Sequence, residues 1–506
     1  MSVTVFCNLG SKDVALDGHP IYPPRPEGKR LLEQYDELRH QITLPIIEPA
    51  LEFILEQQKL ARERQRGGKD REKAGVLIDR VVLFGTDQSD PRYQNSDTCY
   101  SAEVAAHRLP ELFPGVIDKI EVILIEGVNP ALYDEAFEAF DDYLRPFDVA
   151  AGDICYTILT GGIPACNTAL LLQGVRHFGR SLRVVYQPKE GKARELRVGS
   201  QLLNTFDEII ALDRLEQQDF ANALPVLKKI RAGSALIHLC RYAAQRMAFD
   251  FRSARLSLDE TNRDGHRETR RFLREQEPVL DLTKLLETQE GPQINKDRMR
   301  SLLQELFWNA SVTYRHHRYA DFLGRVYRFQ EATLRYLVED IYGLSTDLNP
   351  KYVQQTRTLW KEAIRSNANL LDHLNAIQIN GNPLDWTRIS RPTFQAMIAY
   401  AIKIPGVDAD GNPLVPERDL GRLKQLLKLL NGLDSLVALR HRTIIGHDFE
   451  GVSEEDVVQA FAHEPNEHTP VDRLRNILSK MAIPTQPDPY AVVSDFIRVQ
   501  LKSNLG

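Results

Sequence analysis

Short runs of apolar residues alternate with helix-like patterns along the first two hundred residues of the chain. Runs with the length and composition of buried strands occur within residues 3–9, 76–85, 117–127, 153–162 and 181–188. Between them, segments such as 131–144 and 164–179 repeat apolar positions with the period of a helix. Strands that alternate with helices are typical of a mainly parallel sheet with right-handed crossovers. The pattern therefore predicts an α/β domain over residues 1–205.

The pattern changes after about residue 205. From there to residue 446 nearly every segment has a helical period, and no run is convincing as a strand. We therefore expect an all-α second part, divided into a helical linker region over 206–295 and a helical domain over 296–506. In parallel sheets, ligands bind beyond the carboxyl ends of the strands, where the strand order reverses. The strand ends of the first domain are thus the expected place for a ligand.

The composition is that of a soluble globular protein with two or three domains. The chain has 506 residues, of which 42% are apolar and 26% are charged, and its formal net charge is −6. Any contact with a nucleic acid must therefore come from a local basic patch. The five cysteines form no CxxC pair, which favours a reducing compartment over a disulfide framework or a zinc site. The chain shows no signal-peptide pattern and no apolar run of the roughly 18–20 residues that span a bilayer, so we expect a cytoplasmic protein without a membrane segment.

Three turns at predicted strand ends carry the candidate ligand contacts, with the sequences NLGSKD (8–13), GTDQSD (85–90) and LTGGIPACNTAL (159–170). Glycine lets a ligand approach the backbone closely, and free N–H groups at a helix start suit a phosphate or another polar group. These turns are also compatible with ordinary strand–helix connections. No GxGxxG follows the first strand, and the chain has no GxxxxGK[ST] or GxSxG motif, so three common binding and catalytic motifs are excluded. The candidate contacts are Gly10, Ser11, Asp13, Thr86, Asp87, Gln88, Thr160, Gly161, Gly162, Ile163, Pro164 and Asn167.

The stretch LRHRTIIGHD (439–448) places two arginines and two histidines beside an apolar, helix-patterned segment. The pattern predicts a helix over 435–447. In such a helix Arg440 and His447 are seven residues apart and fall within about 20° of each other. Arg442 lies about 140° from His447, on another flank. The spacing therefore favours Arg440 and His447 as a pair on one face.

This set of residue types suits the cleavage of RNA without a metal ion. An arginine neutralises the scissile phosphate, and a histidine acts as a base toward the 2′-hydroxyl or as an acid toward the leaving oxygen. Only RNA carries that hydroxyl. The alternative is a solvated basic helix end, which the helix dipole favours, and the spacing alone leaves both open. The segment HEPNEH (463–468) lacks the HExxH spacing of a zinc site, so we expect a solvated loop there and no metal site.

These motifs resemble those of a known family. An α/β Rossmann-like domain with a TGGIPACNTALLL turn, followed by a helical domain with an R-x4–6-H motif, is similar to the CARF–HEPN ribonucleases of type III CRISPR systems. Arg440 matches the arginine of that motif, His447 its histidine and Phe449 the aromatic residue that follows. Arg442 would satisfy the four-residue version of the motif. His441 stands where the family often has asparagine.

Two further positions bear on the resemblance. Tyr327, Arg328 and Glu331 resemble a Tyr-Arg-x-x-Glu pattern of an early HEPN helix, although an ordinary charged helix also fits them. Ile163 and Pro164 stand where the CARF turn often has threonine followed by lysine or arginine, which weakens any basic ligand contact at that turn.

The resemblance implies a ligand-sensing CARF domain over 1–205 and a HEPN ribonuclease domain over 296–506. CARF domains sense cyclic oligoadenylates, here a tetra- or hexa-adenylate, and the ligand switches on a HEPN homodimer by an allosteric change. The switched-on enzyme is a single-strand endoribonuclease of antiviral defence that needs no cofactor and leaves 2′,3′-cyclic phosphate ends, and some CARF domains also cleave their activator. The catalytic candidates are Arg440, His447, Arg442 and His441. Two other functions fit the sequence: a ligand-sensing adaptor with an inactive HEPN centre, and a toxin-like HEPN ribonuclease controlled by a protein partner.

Overall fold

The first strand of the chain lies at the centre of its largest sheet. The computed structural model describes residues 2–65, 75–287, 295–379, 381–403, 406–461 and 467–503. The strands of these residues are β1 (Val3–Asn8), β2 (Ala15–Leu16), β3 (His19–Pro20), β4 (Ile42–Thr43), β5 (Ile78–Thr86), β6 (Ile117–Ile125), β7 (Ile154–Ile158), β8 (Leu182–Tyr186), β9 (Arg194–Leu196), β10 (Gln378–Ile379) and β11 (Asn382–Pro383).

The chain divides into two compact units, Met1–Asp207 and Glu208–Gly506. The helices that begin in the first unit are α1 (Pro24–Glu33), α2 (Tyr35–Leu38), α3 (Ile47–Gln65), α4 (Cys99–Leu112), α5 (Tyr133–Leu144), α6 (Pro164–Phe178) and α7 (Val198–Glu216). Those of the second unit are α8 (Phe220–Lys229), α9 (Ser234–Met247), α10 (Phe251–Asp264), α11 (Arg267–Glu275), α12 (Glu277–Leu280), α13 (Thr283–Leu286), α14 (Lys296–Arg315), α15 (Tyr319–Tyr342), α16 (Val353–Ser366), α17 (Ala368–Asn375), α18 (Arg391–Lys403), α19 (Glu417–Asn431), α20 (Asp434–His441), α21 (Glu454–Ala460), α22 (Pro470–Lys480) and α23 (Pro489–Ser503).

The large sheet of the first unit has the strand order β6-β5-β1-β7-β8-β9. All its neighbouring strands pair in parallel except β8 and β9, which are antiparallel. The chain moves outward from β1 through β5 to β6 and then returns to the other side of β1 as β7. The strand order therefore reverses between β1 and β7, and their carboxyl ends flank the crevice where ligands bind in such sheets.

Both faces of this sheet are covered, which is why its inner strands β1, β7 and β8 are largely apolar. Successive residues of β1 point to opposite faces. Val5 belongs to the core on one face and Phe6 to the core on the other. The five predicted strand runs each contain a strand, and α6 begins at Pro164 with a proline in its first turn, as expected.

The second unit is largely helical, in agreement with the prediction. α15 packs against α14, α18 and α20, and buries Phe322 and Phe329 in a core shared with Trp360 and Phe394. The expectation of no strands in this unit was wrong at one place, because β10 and β11 pair as a short antiparallel hairpin. The division of this unit into a linker over 206–295 and a ribonuclease domain over 296–506 stays a prediction.

Candidate functional site

A cleft of about 380 Å³ opens at the carboxyl ends of β1, β5 and β7. We call it the sheet cleft. Six of the predicted ligand contacts line it, namely Gly10, Ser11, Thr86, Gln88, Gly162 and Ile163. The other lining residues were not predicted from the sequence, and they are Leu9, Tyr22, Pro24, Tyr93, Ser96, Thr98, Asn129 and Ala131.

The two turns that flank the reversal of strand order touch each other through glycines. A Cβ atom on Gly10 would lie 3.0 Å from the Gly162 Cα atom and closer still to its nitrogen, so the backbones leave no room for a side chain. Gly161 and Gly162 have φ values of 87° and 68°, in the left-handed region that glycine adopts without strain. The glycines are therefore required by the contact between the turns as well as by any ligand.

Asp13 joins these two turns from beneath. Its side chain is fully buried, and its carboxylate accepts hydrogen bonds from the backbone N–H groups of Gly10 and Gly162. Burial raises the pKa of Asp13 to about 7, and the two backbone hydrogen bonds only partly oppose that rise. A buried group of this kind holds the turns in place and does not itself face the sheet cleft.

Two other predicted contacts, Thr160 and Asn167, brace the β7 turn. The Thr160 hydroxyl oxygen accepts the backbone N–H of Gln187 at 2.8 Å. The Asn167 side-chain oxygen accepts the amide of Asn8 at 2.9 Å, and its own amide donates to the carbonyl of Gly161. Pro164 is exposed at the first position of α6. Sequence position alone could not separate these bracing residues from those that line the sheet cleft.

The loop after β5 is held by a buried carboxylate that the sequence did not single out. Asp97 is fully buried and accepts the backbone N–H and the side-chain amide of Gln88, each at 2.9 Å. Arg25 donates to Asp97 at 3.1 Å and to Asp87 at 2.7 Å. The predicted contact Asp87 is thus an ion-pair partner of Arg25, while Gln88 is positioned at the sheet cleft.

Two exposed tyrosines lie at the rim of the sheet cleft. Tyr22 is 79% exposed and Tyr93 is 49% exposed. Exposed aromatic rings beside polar groups are platforms on which nucleobases stack. No pattern in the sequence points to them, because they come from loops on different parts of the chain.

In the second unit, the helix predicted over 435–447 was wrong at its end, because α20 stops at His441. The Thr443 hydroxyl donates to the Arg440 carbonyl oxygen at 2.8 Å, and the backbone N–H of His447 donates to the carbonyl of His441 at 3.0 Å. A threonine hydroxyl that bonds to its local backbone competes with helical hydrogen bonding. Gly446 closes the turn, since a Cβ atom there would lie 2.7 Å from the His441 Cα atom. The argument that Arg440 and His447 share a helix face therefore fails.

The turn nevertheless brings the predicted residues together. The rings of His441 and His447 are stacked, with centroids 5.3 Å apart and an angle of 8° between their planes. Both side chains are exposed. Partial desolvation and the positive charges of Arg440, His447 and Arg391 lower the pKa of His441 below its ordinary value. We call His441 and His447 the histidine pair.

Arg440 lies beside the histidine pair and is held from two sides. Its guanidinium stacks over the Tyr327 ring at 4.6 Å, and its Nη2 atom donates to the carbonyl of Ile445 at 2.8 Å. Its Nε atom is buried and has no hydrogen-bond partner among the residues that the structure describes. Tyr327, the first residue of the Tyr-Arg-x-x-Glu pattern, is therefore in contact with Arg440 of the R-x4–6-H motif. The other two residues of that pattern, Arg328 and Glu331, form an ion pair at 2.9 Å on the exposed side of α15.

Arg442 has a different environment. It is exposed and forms an ion pair with Glu450 at 2.5 Å. Arg391 of α18 is the second arginine near His441, and sequence reasoning missed it because it lies about fifty residues earlier in the chain. Arg391 donates to Gln330 at 2.7 Å and to Asp434 at 3.1 Å.

Within the described ranges, no helix is both long and apolar enough to cross a membrane. In the same part of the chain, no group of three or more His, Cys, Asp or Glu side chains is arranged to hold a metal ion. Residues 463–466 of the segment expected to be a solvated loop lie outside the described residues. The five cysteines are all buried and free.

The structure is similar to the solved structure of Enterococcus italicus Csm6 bound to cyclic hexa-2′-fluoro-hexa-dAMP, with a TM-score of 0.53. The similarity covers 99% of this chain and 100% of that chain, at 11% sequence identity. At this identity the comparison shows that the two chains share a fold. No protein-family model matches the chain, and no curated protein matches it.

Proposed function

We propose that this chain is an endoribonuclease switched on by a cyclic oligoadenylate, with the activator in the sheet cleft and RNA cleavage at the histidine pair. The observation that carries the proposal is the turn after α20, which gathers Arg440, His441 and His447 at one exposed place in a chain with the fold of Csm6. The sequence motifs resemble those of the CARF–HEPN ribonucleases, and the shared fold with Csm6 fits that resemblance. The residues that match the family motif are therefore neighbours in space, although the helix that would have aligned them ends between them.

The chemistry of the second unit fits the transfer of a phosphoryl group within RNA. Arg440 presents a fixed positive charge, which suits a scissile phosphate. The histidine pair offers nitrogens for proton transfer near neutral pH. RNA carries its own nucleophile in the 2′-hydroxyl, so the expected products end in a 2′,3′-cyclic phosphate. Arg442, tied to Glu450, is a poorer candidate for the essential arginine than Arg440.

The chemistry of the sheet cleft fits a nucleotide ligand. Gly10, Ser11 and Gly162 bring backbone and hydroxyl groups to the crevice, and Gln88 and Asn129 add side-chain amides. The Csm6 structure, which has the same fold, contains a cyclic ligand built from six 2′-fluoro-deoxyadenylate units. A ring of this kind has rotational symmetry, so it would suit two copies of the sheet cleft in a homodimer. The ring size, the homodimer and cleavage of the activator stay predictions.

The roles of the segments follow from this proposal. Residues 1–205 would sense the ligand, 206–295 would link the two parts and 296–506 would cleave RNA. Activation requires that the ligand bind the competent form of the protein more tightly than the inactive form. The cytoplasmic location expected from the sequence stays a prediction.

A cleavage assay tests the proposal. A fluorescent single-stranded RNA is mixed with protein in EDTA, with cyclic tetra-adenylate, with cyclic hexa-adenylate or with no ligand. We expect cleavage only with a cyclic ligand, and its loss in Arg440→Ala and in His447→Ala. Arg267→Ala is the matched control, because Arg267 is an exposed arginine at the start of α11 and far in sequence from the turn.

Each other outcome rejects part of the proposal. Ligand binding without cleavage would support an adaptor with an inactive centre. Cleavage that needs no ligand would support a toxin-like enzyme under the control of a protein partner. Cleavage that survives both substitutions would move the catalytic site elsewhere.

A further inference from the structure

The histidine pair holds two exposed imidazole rings against each other. The rings are parallel within 8° at a centroid distance of 5.3 Å, and the backbone hydrogen bond from His447 to the His441 carbonyl holds the two residues together. Gly446 makes this closure possible, because any side chain there would meet the backbone of His441. The turn is therefore shaped to keep the two rings adjacent.

Both imidazoles are free to exchange protons with a substrate. Among the described residues, neither ring makes a hydrogen bond or an ion pair, and both side chains are exposed. Arginine and lysine side chains hold their protons at neutral pH, so these rings are the groups beside Arg440 that can exchange one there. A substrate phosphate next to Arg440 would thus meet two imidazole edges from the same chain.

The surroundings make the two rings unequal. Arg440 of α20, Arg391 of α18 and the neighbouring His447 all place positive charge near His441, and they lower its pKa together with partial desolvation. Asp434, the nearest carboxylate on α20, is bonded to Arg391. The pKa of His441 therefore lies below its ordinary value, which suits a ring that accepts a proton from the substrate.

We propose that His441 and His447 of one chain divide the two proton transfers of RNA cleavage, with His441 as the base and His447 as the acid. This inference rests on the proposed ribonuclease function. Neutral His441 takes the proton of the 2′-hydroxyl while that oxygen forms a bond to phosphorus. The bond from phosphorus to the 5′-oxygen breaks, and protonated His447 gives its proton to that leaving oxygen. The products are a 2′,3′-cyclic phosphate and a 5′-hydroxyl, and water then returns the two rings to their starting protonation states.

The residue that the family often has in place of His441 provides the test variant. Asparagine can make hydrogen bonds like those of an imidazole, but it does not take up a proton near neutral pH. If His441 only positions its neighbours, His441→Asn would keep the activity. If His441 is the base, the same variant would lose about 100-fold or more in kcat/KM, the usual contribution of general acid–base catalysis.

The experiment compares an ordinary RNA with one whose 5′-leaving oxygen at a single site is replaced by sulfur. A thiolate leaves without needing a proton, so this substrate does not require the acid. We expect His447→Ala to be slow on the oxygen substrate and to recover on the sulfur substrate, and His441→Asn to be slow on both. His266→Asn, at an exposed position before α11, is the matched control and should behave as the wild type. Unchanged fluorescence of the three tryptophans, all of which lie in the second unit, would show that this unit is folded in each variant.

The pH profile gives a second readout. Wild-type kcat/KM should rise as His441 loses its proton, and His441→Asn should lack this rising limb. A His441→Asn variant with wild-type rates and the same profile would overturn this inference while leaving the ribonuclease proposal in place. Recovery of His441→Asn on the sulfur substrate would overturn the assignment of base and acid. No cleavage of either RNA by the wild type would overturn both proposals.

Discussion

The buried carboxyl of Asp13 should make the stability of the first unit fall as the pH rises through neutrality. Burial raises its pKa from the ordinary value of 3.8 to about 7. Between these values the folded protein keeps a proton on Asp13 that the unfolded chain has released, so raising the pH favours unfolding. Asp13→Asn removes this titration and keeps a side chain of similar shape that can still accept a backbone N–H.

The size of the effect follows from the two pKa values. The full difference between the two pKa values corresponds to a loss of about 4 kcal/mol in the free energy of unfolding. This loss is complete only when the pH is above both pKa values. Between pH 6 and pH 8 the wild type should lose about 1.4 kcal/mol of its free energy of unfolding through this group. The difference between the wild type and Asp13→Asn should therefore change by that amount over this range.

Hydrogen exchange measured by mass spectrometry in increasing urea reports the first unit by itself. Tryptophan fluorescence would not report the first unit, because the three tryptophans of the chain all lie in the second unit, at Trp308, Trp360 and Trp386. Peptides that contain β1 and β7 give the free energy of unfolding at each pH. Asp17→Asn is the matched control, because Asp17 is an exposed carboxylate four residues away. An unchanged difference between wild type and Asp13→Asn from pH 6 to pH 8 would refute the reasoning.

Three further predictions concern the two sites. Gly446→Ala should abolish RNA cleavage and leave activator binding intact, because the added Cβ atom would collide with the His441 backbone. Cleavage assays and binding calorimetry would check this prediction. A fully active variant would contradict the geometry of the turn. Tyr22→Ser and Tyr93→Ser should each weaken activator binding about tenfold, within the 1–3 kcal/mol that stacking contributes per base, as measured by calorimetry. Arg440→Lys should lower kcat/KM at least about tenfold, because lysine keeps the charge but loses the planar stacking on Tyr327, and a rate equal to the wild type would show that charge alone suffices.

Local patterns in the sequence predicted β1, β5, β6, β7 and β8 of the first unit, but not the short strands β2, β3, β4 and β9. Strands covered on both faces must be apolar throughout, and the short runs around β1, β5 and β7 have that character. The carboxyl ends of parallel strands lie at one edge, so the turns after these strands were expected to carry the ligand contacts. The structure adds that two of these turns touch each other, at Gly10 and Gly162. The pattern could not distinguish the residues that line the sheet cleft from those that lie beneath it, such as Asp13. Both kinds are polar residues at strand ends.

Local patterns also marked the stretch after α20 as chemically unusual, but they gave its geometry wrongly. The apolar spacing continues with helical period through Ile444 and Ile445, so periodicity alone extends the helix to His447. The tertiary structure ends it at His441 because the Thr443 hydroxyl takes the place of a helical donor and Ile445 packs against α15 at Gly324. Contacts with elements a hundred residues away are absent from any local pattern.

The sequence by itself therefore determined the class of each unit, the edge of the sheet that holds the cleft and the residue types near the turn. Only the tertiary structure decided that His441 stacks on His447, that Tyr327 holds Arg440 and that Arg391 faces the same place. The physical reason is that the formation of a helix or strand depends mainly on residues that are neighbours along the chain. The position and the pKa of a charged side chain depend instead on groups from distant parts of the chain, which bury it or place other charges near it.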